Sequence, residues 1–271
     1  MIRRPPRSTP SNSSAASDVY KRQTINRYGI LYEDLDWTTP LVAALKYYLP
    51  LYGGQIVADV AYPITALQTD MDGYISDIDA NNTQILIPVI SAQGGILMMN
   101  SYADAQPGYV VIGIDVQSQL DTFWADSNGK CEYECVLQSL SNTSKTEVSV
   151  PFWNAYVERY DHEPLYTAVG SYDAIKLYAH AINQTQSFDA DEIVAEIEDI
   201  DKDNPLPGAG GNGAFTRSHD VLEGYPYGYT LFVQWQAGAT KVVVPSFGSI
   251  YPPQIATGNY ITPSWPGWEF N

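Results

Sequence analysis

Histidine and cysteine are nearly absent from this 271-residue chain, at three and two copies, and lysine and arginine together reach only 14 against 31 acids. Little is left to build a zinc site, because His162, His180 and His219 show no metal-ligand spacing to Cys131 and Cys135. The cysteines bound the segment CEYEC, a spacing that leaves a local disulfide or two inert thiols. A net charge of −17 repels phosphate backbones and anionic lipid, which disfavours binding to nucleic acid or a membrane surface. No apolar run approaches the roughly 20 residues that cross a bilayer, and the first residues lack the apolar centre of a secretory signal, so no membrane insertion is expected. There is no GxSxG, P-loop or GxGxxG. The string GAGGNG follows a helix-rich stretch and precedes a hairpin, the wrong context for a dinucleotide fingerprint. Glu33, Asp34 and Asp36 read as a solvated loop after the first strand rather than as catalytic acids. Neither an enzyme nor a cofactor is implied.

Residues 1–23 differ in kind from the remainder. They are rich in serine, proline and arginine and almost free of large aliphatic side chains. They resemble a translated sequencing adapter, the alternative being a disordered basic tail, and are set aside from the fold. Residues 24–271 are more acidic still, with nine basic and 30 acidic residues and a net charge of −21. Sequons at Asn81, Asn142 and Asn183 lend mild support to an extracytoplasmic setting.

Against these absences stands a strand-helix rhythm. Apolar runs at 28–32, 55–60, 85–90 and 109–114 alternate with helix-period segments or polar loops, the pattern of a parallel α/β sheet. Thr38 or Thr39 is placed to cap a helix carrying Leu41, Val42, Leu45, Tyr48 and Leu49 on one face. A second helix reads through Leu67, Met71, Tyr74, Ile75 and Ile78, and a third from Gly94 to about Tyr102. From 150 to 200 the chain is helical, with no sheet of its own to cover. The segment GYTLFVQWQAGATKVVVP reads as a hairpin turning at Ala237 and Gly238, and the last 20 residues as an irregular aromatic tail. In an open parallel sheet ligands bind outside the carboxyl ends of the strands. The loops 33–37, 62–65, 91–93 and 115–117 should therefore share one crevice.

The strings YGILYEDLDWTTPLV, YISDIDANNTQILIPVISAQGGILM, YVVIGIDV, YTAVGSYDAIKLYAHAI and YTLFVQWQAGATKVVV, in this order and spacing, carry a resemblance. From about 28 to 245 the chain resembles the type I periplasmic solute-binding proteins of branched-chain amino acid ABC transporters. The resemblance implies two α/β lobes that close like a hinged clam, one nearly complete here and the other represented by its later helices. It assigns 25–138 to the second lobe, 139–227 to the helical remainder of the first, 228–245 to closing strands and 246–271 to the tail. It implies an amino acid or related small molecule as ligand, an ABC permease as partner, and a periplasmic or extracellular location with an anchor in a preceding segment. The same clam also serves receptors as a sensor domain.

A zwitterionic ligand needs a negative partner for its ammonium and apolar walls for its side chain. The resemblance aligns Asp115 with the acidic ammonium ligand and Trp37 with an aromatic that covers the ligand. Ser91 and Ala92 stand where relatives often carry a bulky aromatic, which implies a roomier pocket. Gln93, Thr65 and Gln117 are hydrogen-bonding candidates at the same rim. Tyr172 and the tyrosines of GYPYGY read as core or hinge aromatics.

Overall fold

Runs rich in isoleucine, valine and tyrosine favour the pleated, half-buried surface of a strand, and the glycines and asparagines between them end each element. The computed structural model describes residues 25–91, 93–246 and 251–265. The chain begins β1 (Arg27–Glu33), α1 (Thr38–Leu51), β2 (Gln55–Tyr62), α2 (Gln68–Ala80), β3 (Ile85–Ile90), α3 (Gly95–Ala105) and β4 (Val110–Asp115). A short α4 (Phe123–Asp126) leads to β5 (Cys135–Gln138). A helical layer holds α5 (Ser149–Tyr160), α6 (Tyr166–Thr185) and α7 (Ala190–Glu198), with a two-stranded ribbon, β6 (Leu206–Pro207) and β7 (Asn212–Gly213). The hairpin β8 (Leu231–Gln236) and β9 (Thr240–Val244) closes the series.

Seven of these strands form one sheet of order β2-β1-β3-β4-β5-β8-β9. The first five strands of the chain are parallel. The hairpin adds two antiparallel strands beside β5. Its turn falls at the expected place, with Gly238 and Ala239 both at positive φ.

Three details depart from the sequence reading. Thr38 does not cap α1; its hydroxyl donates to the carbonyls of Glu33 and Leu35 and so ties the helix start to the end of β1. Helix α3 runs beyond Tyr102 to Ala105, stopped by Gln106 in the left-handed region. Strand β5 has no counterpart among the expected elements, because four residues that follow a turn are too few to show a period.

The main core lies between one sheet face and helices α2 and α3. Leu31, Leu86, Ile90 and Val111 meet Met71, Ile75, Ile78, Met98, Met99 and Tyr102, all of them fully buried. Each such side chain contributes about 1.5–3 kcal/mol by leaving water. On the opposite face Val42 and Leu45 of α1 pack onto Ile30 and Val89, and Tyr260 of the tail packs with Ile112 and Phe232. Beside them runs an apolar groove of about 440 Å³ lined by Ile87, Ile112, Ile114, Leu137 and Phe232.

Residues 139–230 leave the sheet after β5 and return at β8, its antiparallel neighbour. Their glycine-rich stretch docks on α6, where Asp173 accepts hydrogen bonds from the amides of Ala209 (2.6 Å) and Gly210 (2.8 Å). Leu140, Trp153, Val169 and Ala209 form a small core there. Lys145 reaches the carbonyls of Ser139 and Tyr229 and lies over the Tyr229 ring. Tyr172 and Tyr225 are exposed, at 40% and 52%, and so are not core aromatics. The ion pair of Lys241 with Glu163, at 2.6 Å, links the helical layer to β9. In the tail, Trp265 packs edge-on against Tyr102 and Tyr133.

Both cysteines are free and buried. Being unpaired, they are not joined in a disulfide, and burial raises both thiols, Cys131 to about 12, so they stay protonated. The adapter-like segment 1–23 lies outside the described residues.

Candidate functional site

The parallel ladders bring four strand ends to one edge. Glu33 pairs with Tyr62, Tyr32 with Val89, and Ile90 with Asp115. Trp37, Gln93 and Gln117 follow three of these ends, so Asp115 and Trp37 sit at the same rim of the sheet.

Glu33 organises that rim, contrary to its reading as a solvated loop acid. It is wholly buried. Its carboxylate accepts from Trp37 Nε1 (3.2 Å), from the Ser91 hydroxyl (2.6 Å) and from the Gln93 amide (3.3 Å). Asp34 and Asp36 are exposed as expected. The difference has a physical source, because the last residue of a strand whose register points inward is buried even when polar residues come after it. The alternation in β1, which puts Leu31 and Glu33 on the same face, is the signal that carries it.

Tyr62 closes the floor, its hydroxyl donating to the carbonyl of Gln93 at 2.7 Å. Burial and then the neighbouring charges of Glu33 and Asp115 push that phenol upward, so it remains a donor. Gly94 has φ +119, and a Cβ there would lie 2.2 Å from the Tyr62 oxygen. At Gly95 a Cβ would lie 2.1 Å from Asp115 Oδ2. The two glycines are needed because the turn into α3 runs directly over these polar groups.

Asp115 is completely buried. Its Oδ1 accepts from the Gln117 amide at 2.9 Å, and its carbonyl accepts from the Ser118 hydroxyl. No donor among the described residues reaches Oδ2. Its neighbour Glu134, which sequence reasoning missed, has its carboxyl within hydrogen-bonding reach of Asp115 and is also fully buried. Both Glu134 oxygens lack a conventional donor. Burial raises both acids, and the charge of Asp115 raises Glu134 further. Within CEYEC a glutamate looks like a surface residue, and nothing local marks it as an interior one.

The remaining candidates sit unequally. Trp37, Ser91 and Gln117 are half-buried, while Gln93 and Thr65 are exposed on the loops. Gln117 also accepts from the Ile96 amide at 3.4 Å, tying β4's loop to α3. Ala92 lies outside the described residues. Among the described residues no group of three or more His, Cys, Asp or Glu could hold a metal ion, and no helix is long and apolar enough to cross a membrane.

Solved structures share this architecture at low identity. A leucine-binding protein from Thermotoga maritima matches with a TM-score of 0.67 and 16% identity, over 86% of this chain and 63% of that one. A solute-binding protein of an ABC transporter from R. palustris, in complex with benzoate, matches with a TM-score of 0.64 and 12% identity, over 87% of this chain and 60% of that one. An ABC transporter substrate-binding protein from Desulfitobacterium hafniense, in complex with Leu, matches with a TM-score of 0.62 and 16% identity, over 85% and 63%. The chain thus spans less than two thirds of the length of each. No curated protein matches. The sheet order, the strand ends gathered at one edge and these likenesses agree with a family model described as periplasmic binding protein, which matches residues 6–239, and the chain belongs to that family.

Proposed function

We propose that the chain is the ligand-binding part of a solute-binding protein of an ABC transporter, and that its rim takes an amino acid or a related small polar metabolite. The observation that carries this reading is Asp115 Oδ2, a buried carboxyl oxygen at a strand end that no backbone amide or cationic side chain among the described residues reaches. An ammonium group is the natural complement to such an oxygen. The turn through Gly94 and Gly95 lies directly over Asp115, so the proposed ligand reaches that oxygen only when this turn moves aside. Trp37, held by Glu33, offers an indole wall for the apolar part of the ligand. Ser91 is engaged by Glu33, and its small side chain with Ala92 next in sequence suits a roomier pocket than a bulky aromatic would leave. Gln93, Thr65 and Gln117 supply polar contacts at the margin. Hinged closure, release to an ABC permease and an extracytoplasmic location complete the proposal, with binding and no turnover.

The test is an NMR titration of the chain with leucine, and with benzoate as a ligand that lacks an ammonium. Leucine is expected to shift the Trp37 indole N–H and the amides of Gln93 and Gln117. Asp115→Asn should weaken leucine about tenfold, ~1.4 kcal/mol, and leave benzoate unaffected. Leucine shifts that are equal in the variant remove Asp115 from the site, and shifts confined to other faces of the sheet overturn the crevice.

A further inference from the structure

Two carboxyl groups that are both wholly buried and within hydrogen-bonding reach cannot both be ionised without a cation between them. No lysine, arginine or histidine among the described residues forms an ion pair with either. The groups that face them are Glu33 at the end of β1, Tyr62 at the end of β2, and the thiols of Cys131 and Cys135. None of these is a cation, so a proton is the remaining counter-charge.

The surroundings decide which carboxyl keeps it. Asp115 has one oxygen bonded to the Gln117 amide, has the Ser118 amide beside it, and lies against Gly95, the first residue of the eleven-residue helix α3. Backbone amides and the positive end of a helix dipole favour a charged carboxylate. Glu134 has none of these, since no conventional donor reaches either oxygen. A protonated Glu134 can donate to Asp115, and the arrangement then carries one negative charge.

We propose that Glu134 is a positioning residue for the binding rim: it holds the shared proton, donates its O–H to Asp115, and so fixes the pair at the single negative charge that one ligand ammonium neutralises. This rests on the proposed role of Asp115 and adds to it a reason for ligands with one positive charge. A dicationic ligand would meet only half the charge it needs, and a ligand without an ammonium would leave Asp115 uncompensated.

Carbon-13 NMR of the ligand-free chain, labelled at the aspartate and glutamate side-chain carboxyls, tests the pair directly. Glu134 is expected to stay protonated through neutral pH while Asp115 loses its proton first. In Glu134→Gln the amide still donates, so Asp115 should titrate close to where it does in the parent chain. In Glu134→Leu the donor is gone, and Asp115 should titrate higher by about one pH unit or more. Both carboxyls ionising together near the ordinary carboxylate range in the parent chain would overturn the proposal, and that result needs no variant to fold. Identical Asp115 titrations in the glutamine and leucine variants would also overturn it. Because no ligand is present, failure here is separate from failure of the leucine titration at Trp37.

Discussion

One methyl group at position 95 would land 2.1 Å from Asp115 Oδ2 and 2.7 Å from its carboxyl carbon, so Gly95→Ala should force α3 away from β4. The expected cost is about 1–3 kcal/mol, read from denaturant unfolding, and Gly73→Ala, with open space around its Cβ, should show no such loss. Asp115 also predicts a pH dependence. Burial raises it above its ordinary 3.8, so the folded state binds its proton more tightly than the unfolded chain does. Its stabilising effect is therefore complete below about pH 4 and is lost as pH rises through the raised value. Thermal melts across that window should fall more steeply in the parent chain than in Asp115→Asn. Lys145 acts in the opposite sense and at higher pH: burial lowers it to about 7, so stability rises with pH above that point. At this scale the sequence is a mixed guide. Asp115 and Trp37 are legible as rim residues because strand ends are predictable, whereas the burial of Glu33 and Glu134 depends on register and on a short strand that local patterning does not reveal.

Helices and strands here depend on a few side-chain clamps at their ends. Asp189 caps α7 by accepting from the amides of Asp191 and Glu192, and Asp189→Ala should cost about 1 kcal/mol. Asp173 has a larger task, since it satisfies two amides of the glycine-rich stretch at once. Asp173→Ala should cost about 2–3 kcal/mol and speed hydrogen exchange at Ala209 and Gly210, with no effect on the sheet amides. Exchange that is unchanged at those two amides would mean the stretch is held by other contacts. Four strands, the hairpin and the longer helices are readable from periodicity, because each has enough residues to display one, whereas the four-residue α4 does not. The position of β8 and β9 beside β5 is not, since pairing between strands separated by 92 residues leaves no local trace. Thr38, read as a cap, shows how one hydroxyl can serve the strand before a helix instead of the helix itself.

For the molecule as a whole, 31 acids against 14 bases mean that the folded state works against its own field. Raising ionic strength from about 0.01 M to about 0.15 M shortens the screening length from about 30 Å to about 8 Å, and the melting temperature should climb with it. A flat response would show that the acids are too dispersed to repel. The path of the chain adds a mechanical consequence. Both passages to the helical layer, outward after Gln138 and back before Leu231, occur at adjacent positions of two neighbouring strands, since Gln138 pairs with Leu231. Under the proposed closure, any turning of the layer against the sheet would pivot at that one pair of positions, and it would have to break the Lys241–Glu163 ion pair and the bond from the Glu163 amide to Asp121.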